Sequence, residues 1–216
     1  MSKGHLSWGT ITEAPPTGRV ALLDFRRSEL LKLLKVPSRA GFADQLKEMA
    51  NGLMEEESSS VRKACADVVE RLARLYGTPV PKVVLPPGVR PYKTKEGRLS
   101  EVLMGDYSPR QGQRIRLWMY TSKLRKVVAF RRFLFTLVHE FVHHLDNTLF
   151  SCARRVETAN SLSVESNPSG LLRGSPHTRA FYGRCWDIFY AILGQPRKQF
   201  LWRPLGDGRY RAIEAK

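Results

Sequence analysis

The stretch from Phe130 to Asp146, FRRFLFTLVHEFVHHLD, constrains this chain more than any other. Phe130, Phe133, Leu134, Leu137, Phe141 and Leu145 recur at helical spacing, and Phe135, Val138 and Val142 widen the apolar stripe. No Gly or Pro interrupts Val127 to Leu145, so the pattern predicts one rigid and largely buried helix. His139 and His143 stand four residues apart and share a face of it, with Glu140 beside them. Two imidazoles and a carboxylate in the middle of a buried helix must be paired or metal-bound. A His-Glu-x-x-His string on a helix suits zinc. Two imidazoles ligate, a third protein group and a water complete the shell, and the carboxylate takes the water's proton as general base.

His177 is a candidate for the third ligand. It sits in SPHT, a turn at a predicted helix start, from which a side chain can point back across a cleft, while Phe181 and Cys185 follow the apolar side of the next helix. Asp146 lies three residues after His143 and seven after His139, on the same helical side. A carboxylate there can accept the second ring N–H of a ligand histidine and fix its tautomer. His144 is rotated away from the ligand pair, toward packing or solvent. Tyr182 and Tyr210 are both available to hold a developing oxyanion, and spacing selects neither.

The rest of the chain reads as support for that helix. At 216 residues and 42% hydrophobic content it can bury a real core. We expect an N-terminal arm and helical region over 1–78, and over 79–216 a catalytic domain with a basic C-terminal hairpin or tail. Residues 1–19 read as an extended arm that Trp8 can anchor. VALLDF at 20–25 is a short apolar run, and Ser28 caps a helix over ELLKLLK. GFADQLKEMANGLMEEE reads as a helix interrupted near Gly52. Ser58 to Tyr76 carries a stripe of Val61, Cys65, Val68, Leu72 and Leu75, ended by Gly77.

VPKVVLP, LSEVLMGDYSP and QRIRLWMYT then read as strands, the last alternating Ile115, Leu117 and Met119 against Arg114, Arg116 and Trp118. Strands followed by a long helix make an α+β unit. QRIRLWMY either borders the cleft and lends its edge to an extended substrate or serves only to pack the sheet, and the pattern does not choose between them. Asn167 to Gly170 has turn character, TRAFYGRCWDIFYAIL reads as a deeply packed helix, and RKQFLWRPLGDGRYRAI as a hairpin.

The three cysteines, Cys65, Cys152 and Cys185, form no close-spaced pair, which predicts free thiols, a reducing cytoplasmic setting and no zinc ribbon. The start MSKGHLSWG lacks the apolar run of a signal peptide. Net charge is +16, an excess that draws polyanions at long range without specifying a base sequence. Arg110, Arg114, Arg116, Lys123, Arg125, Lys126, Arg131 and Arg132 fall in an acid-free run leading into the His-Glu-x-x-His helix. They are the candidate polyanion-binding residues. Arg197, Lys198, Phe200, Trp202, Arg203, Arg209, Tyr210 and Arg211 interleave basic and aromatic groups suited to single-stranded nucleic acid or, alternatively, to packing on the core.

GDY, RIRLW, LFTLVHEFVHHLD and SPHTRAFYGRCW together resemble gluzincin-type zinc metallopeptidases, and among them look most like the small SprT-like and WLM-type proteases. The resemblance covers roughly Val80 to Leu193. It implies a zincin-like minimal metalloprotease domain, a short sheet plus the His-Glu-x-x-His helix. It also implies Zn2+ held by His139, His143 and His177, Glu140 as catalytic base, and endopeptidase activity, with DNA-associated proteins among the substrates. The chain departs from many SprT-like proteins in having no downstream cysteine quartet. A downstream glutamate completes the site in many other gluzincins, so Glu157 and Glu165 are alternative ligands. HEFVHHLD also resembles lethal-factor-like zincins, where a glutamate does the same. The competing reading is a DNA-associated structural or binding module with an inactive zinc site, but such a site has no need of the base that Glu140 supplies.

Overall fold

The computed structural model describes residues 10–12, 34–89, 104–122, 124–160, 177, 179–206 and 209–214. The architecture is α+β. Its helices are α1 (Ala43–Met54), α2 (Ser58–Tyr76), α3 (Phe130–Asn160) and α4 (Arg179–Leu193). A mixed sheet holds β2 (Lys82–Val84), β3 (Gly105–Ser108) and β4 (Arg114–Leu117) in the order β2-β4-β3, with β2 parallel and β3 antiparallel to β4. A second, antiparallel sheet joins β1 (Thr10–Thr12) to the C-terminal hairpin of β5 (Phe200–Gly206) and β6 (Arg209–Glu214), in the order β1-β6-β5. The arm expected at the N-terminus is thus tied at Thr10–Thr12 to β6. Trp8, the 20–25 run, the Ser28 helix and the 167–170 turn lie outside the described residues.

Helix α2 forms where its apolar stripe predicts. Val61, Cys65, Val68 and Leu72 are fully buried, whereas Leu75, assigned to the same stripe, is 38% exposed. Gly77 ends the helix with φ of 62°, a left-handed conformation that glycine adopts without penalty, and the Thr78 N–H donates to the Ala73 carbonyl. At the other end, Ser59 and Ser60 hydroxyls donate to the Glu57 carboxylate at 2.8 Å, so the acidic run organises a helix start as well as facing solvent.

Helix α1 is not interrupted at Gly52. It runs through to Met54, and Gly52 is buried against α2. A Cβ there would lie 2.9 Å from Val61 Cγ2 and 3.2 Å from the Val61 nitrogen. The glycine lets two helices approach closely. Gly52→Ala gains helix propensity of roughly 1 kcal/mol but overpacks a rigid, fully buried valine, which costs about 1–3 kcal/mol. We expect a net loss of stability in urea or thermal denaturation; a stabilised variant would show that the interface has slack.

Buried residues of α1 and α2 belong to one apolar cluster with Ile115, Leu117, Phe133, Leu137, Phe141 and the inner face of α4. Helix α3 packs across β3 and β4. Ile115, Leu117 and Met119 point into this core as the alternation predicts, but Trp118 is also buried, with the Arg116 guanidinium 5.6 Å from its ring centroid. Of the two roles open to QRIRLWMY, sheet packing is the one the fold shows. Strand β4 is central, flanked by β2 and β3, because its two faces and both backbone edges are used. Among the described residues β3 ends the sheet on that side.

The hairpin uses its aromatics for packing. Phe200 stacks on Trp186 at 3.9 Å between centroids, and Trp202 lies 5.7 Å from Trp186 and 5.9 Å from Tyr182. Arg197 binds Asp187 at 2.7 Å, tying the segment before the hairpin to α4.

Candidate metal centre

Helix α3 is continuous through the motif, so His139 and His143 project from one face a turn apart. His177 stands just ahead of α4 and comes back over the same face. The three Nε2 atoms are 3.2 Å (His139 to His143), 3.0 Å (His143 to His177) and 3.2 Å (His139 to His177) apart. Among the described residues this is the one group of three or more ligand-type side chains placed to share an ion.

The spacing tests the fit. Tetrahedral zinc with Zn–N bonds of about 2.0–2.1 Å sets its nitrogens roughly 3.3 Å apart, and the three separations fall within a few tenths of that. Three nitrogens on one triangular face leave a fourth position for water or substrate. Neutral rings that turn Nε2 lone pairs toward one another repel, and a cation among them converts the repulsion into ligation. Two of the rings are biased toward the neutral form: burial, then the neighbouring His177, pushes His139 down to about 3, and burial lowers His177 as well. A neutral imidazole is the form that binds metal.

Aromatic side chains close the site from α4. Phe181 is 1% exposed and lies 5.0, 4.5 and 5.3 Å from the ring centroids of His139, His143 and His177. Tyr182 lies 5.7 Å from both His139 and His177. Such packing fixes ring orientation before any ion arrives. Of the two tyrosines considered for an oxyanion, Tyr182 is therefore at the centre; the Tyr210 side chain lies outside the described residues.

Glu140 is 7% exposed and Asp146 is 2% exposed, so Asp146 is an interior group of α3 rather than a surface one. His144, also fully buried, points to the sheet side. Its Nε2–H donates to the Pro79 carbonyl at 2.8 Å, which leaves Nδ1 to accept from the Tyr107 hydroxyl at 3.3 Å. The Asn147 amide donates to the same hydroxyl at 3.4 Å. Through Tyr107, α3 holds the edge strand β3. Spacing marked His144 as turned away from the ligands, but the partner across the sheet was not readable from it.

The alternative ligands fare differently. Glu157 lies on the continuation of α3, 14 residues past His143 and therefore about 21 Å along the axis, too far to join the cluster. Glu165 is outside the described residues. The basic run is divided by the fold. Arg116 makes a two-pronged pair with Asp106 at 2.7 Å, Arg114 donates to Gln111, and Arg131 donates to Gln195 at 2.9 Å and lies over Phe189. Arg132 is half-buried, Arg110, Arg125 and Lys126 are exposed, and Lys123 is outside the described residues.

Cys65 and Cys185 are fully buried free thiols, pushed up by desolvation and so chemically quiet. No described helix is long and apolar enough to cross a membrane. No family model matches the chain, and neither a curated protein nor a solved structure matches it. The functional reading rests on the site itself.

Proposed function

We propose that the protein is a zinc-dependent endopeptidase. The observation that carries this reading is the convergence of three histidine nitrogens beside a buried glutamate borne on the same helix as two of them. When bound by His139, His143 and His177, zinc would supply Lewis acidity and a water made acidic enough to give up a proton near neutral pH. Glu140 accepts that proton and returns it to the leaving amine. Asp146 is assigned to orient a ligand ring from behind. Tyr182, packed against His139 and His177, walls the site.

The substrate is an extended peptide, and the reading is supported by the position of β3, which ends the described sheet on the side that meets Glu140. That strand begins at Gly105, directly against Glu140, and an added strand along it would carry a peptide bond past the base. The test is cleavage of a dye-labelled unfolded protein by zinc-loaded enzyme, its loss on chelation and its return on adding zinc. No cleavage by fully zinc-loaded protein would refute the reading.

Within it, we assign DNA-associated proteins in the cytoplasm as the substrate class, on the net charge of +16 and the exposed Arg110, Arg125 and Lys126. Binding through such groups is sequence-independent and falls steeply with salt. Changing all three to Glu should weaken duplex binding in fluorescence anisotropy and flatten the log–log salt slope by up to about 3, with small-peptide cleavage unchanged. Salt-insensitive binding, or none, leaves a general peptidase.

A further inference from the structure

Gly105 opens the edge strand at the point where the strand meets α3. A Cβ at this position would lie 2.6 Å from Thr136 Cγ2, 2.9 Å from Glu140 Cγ and 3.1 Å from Glu140 Oε1. Real Cβ atoms do not approach neighbours at the first two distances, so something would have to move. The strand is pinned. Gly105 is in register with the fully buried Leu117, its neighbour Met104 is 4% exposed, and the Trp118 N–H donates to the Met104 carbonyl at 2.9 Å. Thr136 is pinned too, since its hydroxyl donates to the Arg132 carbonyl at 2.9 Å and that bond fixes which way the methyl points. On Glu140 the added methyl would press on both the stem and the carboxylate, a side chain with three rotatable bonds.

We propose that Gly105 is a positioning residue for Glu140: its missing side chain is the space in which the base's stem and carboxylate sit. This rests on the reading of Glu140 as the base and deepens it. Sequence places Gly105 35 residues before Glu140, and only the packing of β3 on α3 brings them together. The same glycine lets the substrate-binding edge and the base occupy adjoining positions, with no side chain between them.

The test uses four variants of the full chain: Gly105→Ala, Thr136→Ser, the double variant, and Glu140→Gln as reference. In Gly105→Ala the zinc stoichiometry and the visible spectrum of the cobalt(II)-loaded protein should match the unmodified chain, because no histidine is touched. Its kcat should fall by about 10- to 100-fold, as a displacement near 1 Å does, while KM changes little. Thr136→Ser removes the methyl at 2.6 Å but not the contact with Glu140. In the double variant the melting temperature should therefore recover while kcat stays low, whereas a merely structural role would restore both together. The double variant also serves if Gly105→Ala alone fails to fold. Unchanged kcat in Gly105→Ala, a loss confined to KM, or recovery of turnover with Thr136→Ser would overturn the proposal. If Glu140→Gln keeps full activity, the base assignment itself fails; if Glu140→Gln is inactive and Gly105→Ala is not, only the positioning role fails.

Discussion

Glu140→Gln should bind one zinc per chain and lose peptide hydrolysis by about 10²- to 10⁴-fold in kcat, the range expected when a general base is removed. Glutamine keeps the volume and shape of a side chain that is 7% exposed and packed against Gly105, so the fold has no reason to rearrange. The groups placed to hold the ion are three histidine nitrogens, none of which the substitution alters, so zinc binding should persist. What disappears is the proton acceptor. Equal turnover in the two proteins would mean that another group takes the water's proton.

His177→Ala should have its largest effect on the metal itself. It removes one of three nitrogens that lie 3.0 to 3.2 Å apart and leaves a two-point site on α3. Losing a group that merely orients a ligand weakens metal affinity by about 10- to 100-fold, and removing a ligand should exceed that in a competition titration against a chelator. Stabilisation by zinc should vanish with it. At 100 times the dissociation constant, zinc raises the stability of the unmodified protein by about 2.7 kcal/mol, and the same zinc concentration should leave the variant's melting temperature close to its metal-free value. Unchanged affinity in His177→Ala would hand the third position to another residue, with Glu165 the first to try.

The parts of this protein that were legible in its sequence are the ones encoded locally. The α3 stripe, the i,i+4 histidines and the Gly77 stop each depend on residues within a turn or two of one another, and all appear as read. His177 was legible because a two-histidine helix demands a third ligand and SPHT precedes an aromatic helix; its arrival over His139 and His143 depends on how α4 packs. Strand order was not legible. The alternation in RIRLW describes two faces, and nothing in it distinguishes a central strand from an edge, so sheet packing and an exposed docking edge stayed equally open for β4 until its neighbours β2 and β3 were placed. Gly52 was read as a helix break on intrinsic propensity, whereas close packing against Val61 overrides that preference. The basic run from Arg110 to Arg132 looked uniform because Asp106, Gln111 and Gln195, which engage Arg116, Arg114 and Arg131, come from outside it or from a turn. The hairpin's aromatic residues suited either base stacking or packing on the core, and the second is what Phe200, stacked on Trp186, and Trp202, tilted against it, show.

His139, His143 and His177 are proposed to form a zinc centre with an open position. X-ray absorption at the zinc edge, on purified protein loaded with one equivalent, tests it without reference to any substrate. The account predicts four light-atom neighbours at about 2.0–2.1 Å, three of them showing the outer-shell scattering of imidazole. A protein that holds no zinc after reconstitution, a sulfur shell near 2.3 Å, or a six-oxygen shell would contradict it.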